Sequence, residues 1–208
     1  MGVFRIRWDA PGALGLNAMS VATEPMTLEE YLAYDDGTDT CYELVNGELV
    51  AMPPESDLNN QIASFLFATF LQVGVPYYCL RIGAQIAVGG ARATARQPDL
   101  MVLSEAAAAA LEGAARCVIT YDMPPPLLVV EVVSPGQESR DYRYKRSEYA
   151  GRRILEYWIV DPTADKVTIL EWVDGLYEER VFEGDEPISS AQFSKLKVSA
   201  KGILSAGR

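Results

Sequence analysis

Leu127-Leu128-Val129-Val130-Glu131-Val132-Val133-Ser134-Pro135 decides how this chain folds. Seven consecutive positions carry six branched aliphatic side chains and one glutamate. A strand with one wet face would alternate apolar and polar residues. A continuous aliphatic run of this length, closed by Ser134-Pro135-Gly136, predicts a central strand covered on both faces. Glu131 breaks the run, and a carboxylate at that depth costs several kcal/mol unless it is paired or binds a cation.

Downstream, residues 141–150 predict a helix with Gly151 as its stop. Residues 155–160 predict a second buried strand, closed by Asp161-Pro162. Residues 167–172 and 177–182, around Asp174-Gly175, predict a hairpin. A weak apolar segment follows near Leu196 and Ile203. Upstream, residues 99–103 predict a short strand behind Pro98, and the alanine-rich stretch 104–116 predicts a helix. Residues 78–88 are β-rich, with Gly89-Gly90 as a turn. Apolar spacing over residues 57–73 is helical, with Ser56 or Asp57 as cap. Asn46-Gly47 between residues 41–45 and 48–52 predicts a hairpin. Thr27 and Glu30 form a capping box for a short helix reaching Tyr34. The order predicts an α/β class: a mixed β-sheet core flanked by helices, with added β-hairpins. One sheet covered on both faces is expected. Residues 26–208 read as a single domain. Residues 1–25 read as a poorly patterned extension, with Met19 or Met26 as an alternative start.

Composition narrows the chemistry. The 208 residues are 49% apolar, enough for one well-buried core. The net charge of −11 argues against a protein that coats nucleic acid, though not against one that touches it through a local strip. Cys41, Cys79 and Cys117 form no CxxC pair, which fits buried free thiols in the reducing cytoplasm. No 18-residue apolar stretch or signal-peptide pattern is expected to engage a membrane. The chain has no histidine. That removes Ser-His-Asp and Cys-His catalysis, HExxH proteases, HNH-type nucleases and His-ligated zinc. Neither a P-loop nor a Rossmann fingerprint occurs. Hydrolysis would have to rest on carboxylates, Lys, Ser, Tyr and a hard metal.

Asp99 stands at the mouth of a short apolar strand. If that strand neighbours the one holding Glu131, two carboxylates converge at one sheet edge. They repel unless a divalent ion neutralises them, and oxygen-only ligation suits Mg²⁺ or Mn²⁺. On the following helix Asp141, Lys145 and Tyr149 share a face at i, i+4 and i+8. From Arg140 to Arg153 six basic and two acidic residues give a local charge of +4. Arg140, Arg143 and Arg146 would form a phosphate-binding strip beside the carboxylates. Plainer readings stand next to these. Glu131 would be a strand-end acid facing solvent or one paired with Arg143, Asp99 a turn residue, Lys145 a surface partner of Asp141, and Tyr149 packing.

Pro98-Asp99 followed by Glu131-Val132-Val133 resembles the PD-(D/E)XK motif without its terminal lysine. With Tyr42-Glu43-Leu44-Val45-Asn46-Gly47-Glu48-Leu49, Val129 to Pro135, and Glu156-Tyr157-Trp158-Ile159-Val160-Asp161-Pro162, the chain resembles the Uma-two family of restriction-endonuclease-like proteins. The resemblance implies metal-dependent DNA cleavage by a homodimer. It implies Asp99, Glu131 and the main-chain carbonyl of Val132 as metal ligands, and Lys145 in place of the lysine missing at Val133. It also implies Glu43 as a further acid of the site. A histidine that often opens the helix after the hairpin in this family is replaced here by Asn59 or Asn60. Two other functions compete: a catalytically weak or inactive nuclease-fold module that binds nucleic acid or protein, and a carboxylate-pair glycosidase.

Overall fold

Thr27 caps the first helix, α1 (Leu28–Ala33), through the reciprocal bonds of a capping box: its Oγ1 accepts from the Glu30 N–H, and its own N–H donates to the Glu30 carboxylate. This opens the computed structural model, which describes residues 24–89, 92, 94–206 and 208. Most of the extension expected over residues 1–25, and Gly90 of the expected turn, lie outside the described residues. Strands β1 (Tyr42–Val45) and β2 (Glu48–Ala51) pair antiparallel across Asn46 and Gly47, whose φ angles of 52° and 82° are those of a type I′ hairpin turn. A side chain at Gly47 would also meet Pro25, 2.5 Å from its Cβ, so the chain entering α1 passes against this turn. Ser56 caps α2 (Asp57–Gln72), accepting from the Asn59 N–H.

The β-rich stretch expected over residues 78–88 is divided. It forms a 3₁₀ turn (Tyr77–Cys79), β3 (Leu80–Arg81) and β4 (Gln85–Val88). β5 (Thr94–Arg96) and β6 (Leu100–Val102) follow. The alanine-rich helix α3 is confined to Glu105–Ala110, and Gly113 follows with a φ of 76°. β7 (Val118–Ile119) precedes the aliphatic strand β8 (Leu128–Val132). A π-helical turn (Arg140–Lys145) runs into α4 (Arg146–Gly151). Then come β9 (Glu156–Asp161), the hairpin β10 (Lys166–Val173) and β11 (Leu176–Glu183), and α5 (Ala200–Leu204).

The strands make two sheets, not the one expected. The first has order β2-β1-β5-β4-β7, the second β11-β10-β9-β8-β6-β3. The loop 82–84 sends β3 and β4 to different sheets, a division that periodicity does not encode. β8 pairs parallel with β9 and antiparallel with β6, the central position its composition predicts. Its odd residues, Val129 and Val133, enter a core shared with β4, β9, α3 and α4; its even residues, Leu128, Val130 and Val132, enter a second core under α2 and α5. Both faces are apolar because both are covered.

Candidate active site

Register brings the two predicted carboxylates together. Leu100 pairs with Val130 in the antiparallel β6–β8 ladder, so Asp99, one residue earlier, comes opposite Glu131. Opposed residues of an antiparallel pair project to the same face. Asp99 Oδ2 accepts the Val132 N–H at 2.6 Å, which ties its carboxylate to the strand holding Glu131. Glu131 is only 3% exposed, while Asp99 is half-buried. The main-chain carbonyl of Val132 lies 3.4 Å from Asn59 Nδ2, which also donates to Glu55 and Ser134.

The helix after β8 supplies the cation. Lys145, 1% exposed, places Nζ 2.7 Å from Glu131 Oε2 and 3.0 Å from Asp141 Oδ1. The contact with Asp141 is off-axis, so Oδ1 gains the charge of the ammonium but no hydrogen bond. Tyr149, one turn beyond Lys145, donates its hydroxyl to Glu131 Oε1 at 2.5 Å. The first sheet adds a second charged group. Leu44 pairs with Ala95, which sets Glu43 opposite Arg96. Arg96 Nη1 lies 3.1 Å from Glu43 Oε2, and its Nε and Nη2 each reach the Glu148 carboxylate at 2.7 Å. Glu43 also accepts the Gln97 N–H at 3.0 Å and lies 3.8 Å from Arg140.

A family model named Uma2 and described as "Putative restriction endonuclease" matches residues 28–201. The chain belongs to the Uma2 family. Its fold is similar to that of a protein from Anabaena variabilis described as a "putative nuclease", with a TM-score of 0.68 and 19% identity, over 88% of this chain and 100% of that one. No curated protein matches it.

In this Uma2 chain the buried charges near β8 do not balance. Glu131 and Asp141 share one ammonium, Lys145, and among the described residues Asp99 has no cation at salt-bridge distance, while Glu43 is answered by Arg96 and Arg140. Burial, with Glu55 and Asp141 adding to it and the Val132 N–H and Lys145 opposing, pushes Asp99 up to about 7. Burial, with Asp141, Asp99 and Glu43 adding to it and Lys145 opposing, pushes Glu131 up to about 8. Burial also disfavours charge on Lys145 and on Glu43. Their partners prevail: Glu131, Asp141 and Glu43 hold the ammonium charged, and Lys145, Arg96 and Arg140 hold Glu43 below the usual carboxylate range.

Among the described residues no three His, Cys, Asp or Glu side chains converge as a ready cation cage. The donor set nonetheless fits a hard ion. Two carboxylates placed opposite each other and a main-chain carbonyl are all oxygen, Mg²⁺ needs only one or two protein carboxylates, and Glu131 and Asp141 already share a stand-in cation, the Lys145 ammonium.

The basic strip divides. Arg140 lines a cavity of about 390 Å³ with Val45, Val50 and Tyr144, and Arg143 is exposed. Arg146 instead pairs with Glu179 and donates to the Tyr177 carbonyl, fastening α4 to the β10–β11 hairpin. A second cavity of about 520 Å³ is bordered by Cys41, Met52, Glu55 and Gln97. Cys79 is buried as expected of a free thiol, but Cys41 and Cys117 are exposed because they stand at strand entrances. Sequence reasoning gave Asp141 and Tyr149 no role in the site. Their spacing from Lys145 was the available signal, since one face at i−4 and i+4 can meet one strand residue. Arg96 carried no signal, because its partners are 53 and 52 residues away.

Proposed function

We propose that this Uma2 protein is a metal-dependent endonuclease that hydrolyses DNA phosphodiester bonds in the cytoplasm, with residues 26–208 as one catalytic domain. The reading is supported by the β6–β8 register, which sets Asp99 opposite Glu131, and by the Lys145 ammonium 2.7 Å from Glu131. Asp99, Glu131 and the Val132 carbonyl would hold Mg²⁺ or Mn²⁺. When bound, such an ion supplies a polarised phosphate oxygen and a water of lowered pKa. Lys145 stabilises charge building on the phosphate oxygens. Glu43 steadies Arg140, and through Arg96 and Glu148 it braces the helix that carries Lys145. Arg140 and Arg143 position the DNA backbone, and a homodimer would cut both strands.

The test is nicking of supercoiled plasmid with Mg²⁺ or Mn²⁺. Asp99→Ala and Lys145→Ala are each expected to slow it by at least ~10²-fold. Variants that nick as fast as wild type would remove the enzyme reading. One observation favours a second reading. Both Glu131 oxygens are already engaged by Lys145 and Tyr149, which suits a nuclease-fold module that binds nucleic acid or a protein partner without cutting. Retarded DNA mobility with no nicking at any metal concentration would select it.

A further inference from the structure

Glu131 is held from one helical face. Lys145 engages Oε2 at 2.7 Å, and Tyr149, four residues later, donates to Oε1 at 2.5 Å. Tyr149 is fully buried, and its ring meets Tyr157 edge-on with centroids 4.9 Å apart. Burial and the nearby Glu131 keep its phenol protonated, so it acts as a donor at every working pH.

The terminal torsion of a glutamate is broad, so strand position alone does not set the plane of its carboxylate. Donors on both oxygens do. Each carboxylate oxygen has two lone-pair sites, so a phenol on Oε1 occupies one and leaves others for a cation. We propose that Tyr149 is a positioning residue for Glu131: its hydroxyl fixes the carboxylate plane so that the free lone pairs converge with Asp99 on one divalent cation. This rests on the reading of Asp99 and Glu131 as metal ligands.

Tyr157 provides the comparison. It is equally buried and packs on Tyr149, but its hydroxyl donates to the Asp141 main-chain carbonyl at 3.1 Å and not to Glu131. Loss of a buried phenol as such would therefore affect both tyrosines alike.

The experiment is calorimetric titration of Mn²⁺ into the full chain as wild type, Tyr149→Phe and Tyr157→Phe, with the metal-free Tm of each recorded. Tyr149→Phe is expected to weaken Mn²⁺ binding by about 10–100-fold, the usual effect of losing a group that orients a metal ligand. Tyr157→Phe is expected to bind within about twofold of wild type despite a comparable fall in metal-free Tm. Unchanged affinity in Tyr149→Phe, or equal losses in both variants, overturns the proposal alone. A wild type that takes up no Mn²⁺ overturns it together with the metal reading beneath it.

Discussion

At the residue scale, Asp99 and Glu131 set how stability depends on pH. Both are pushed up, to about 7 and about 8, from ordinary values near 4. A group whose pKa is raised on folding binds its proton more tightly when folded. The stability it adds is complete below its unfolded value and is lost as pH rises through the folded value. The metal-free protein is therefore expected to lose stability between about pH 4 and 8, by up to roughly 4 kcal/mol for each carboxylate. Glu43 has the opposite sign, since its pKa is lowered. Its contribution is lost below the ordinary glutamate range, which places the optimum for the metal-free protein near pH 5. Urea titrations across pH 4 to 9 check this, and a flat or rising profile from pH 5 to 8 contradicts it. Saturating Mg²⁺ should flatten the slope, because the ion replaces the protons. Asp99 and Glu131 were legible as residues, since one stands at the mouth of an apolar strand and the other interrupts an apolar run. Their altered basicity was not, because it depends on how much protein surrounds each carboxylate.

At the element scale, the caps and turns follow from local sequence. The Thr27 capping box, the Ser56 cap and the Asn46-Gly47 turn form because each needs only residues three or four apart. Thr27→Ala should cost about 1 kcal/mol, read by chemical denaturation. The clamp between β1, β5 and α4 is different in kind. Arg96 is 2% exposed and joins Glu43 to Glu148. Its loss leaves the buried Glu43 carboxylate with the Gln97 N–H and, as its cation, only the more distant Arg140. Arg96→Ala is expected to cost about 3–5 kcal/mol, against less than about 1 for breaking the exposed Arg146–Glu179 pair. Equal effects would show that burial does not govern these ion pairs. Helical periodicity predicted the segment after β8 but not its π-helical first turn, Arg140–Lys145. The extra backbone residue in such a turn reflects the tertiary demand of seating Asp141 and Lys145 beside Glu131, not propensity.

At the scale of the whole molecule, metal binding should raise the stability of the folded chain. If Asp99 and Glu131 share an ion, Mn²⁺ at about 100 times its Kd adds ~2.7 kcal/mol to wild-type stability. Differential scanning calorimetry should show a concentration-dependent rise in Tm that Asp99→Ala lacks. An equal rise in both would place the ion elsewhere. Helices α1 and α2, both hairpins and the central strand β8 were determined by sequence alone, because a strand covered on both faces is predominantly apolar and a capped helix signals its own start. Of the candidate site, Glu131 was visible as a misfit in its apolar run and Asp99 by its place at a strand mouth, while Glu43 and Lys145 were marked only by the family resemblance. Only the tertiary structure decided that β3 and β4 belong to different sheets, that Arg146 turns to the hairpin, and that Tyr149 and Asp141 join Glu131. The physical reason is range: caps, turns and periodicity act within a few residues. Sheet membership and buried ion pairs are settled by contacts between segments far apart in the chain, whose net energy depends on what else is buried beside them.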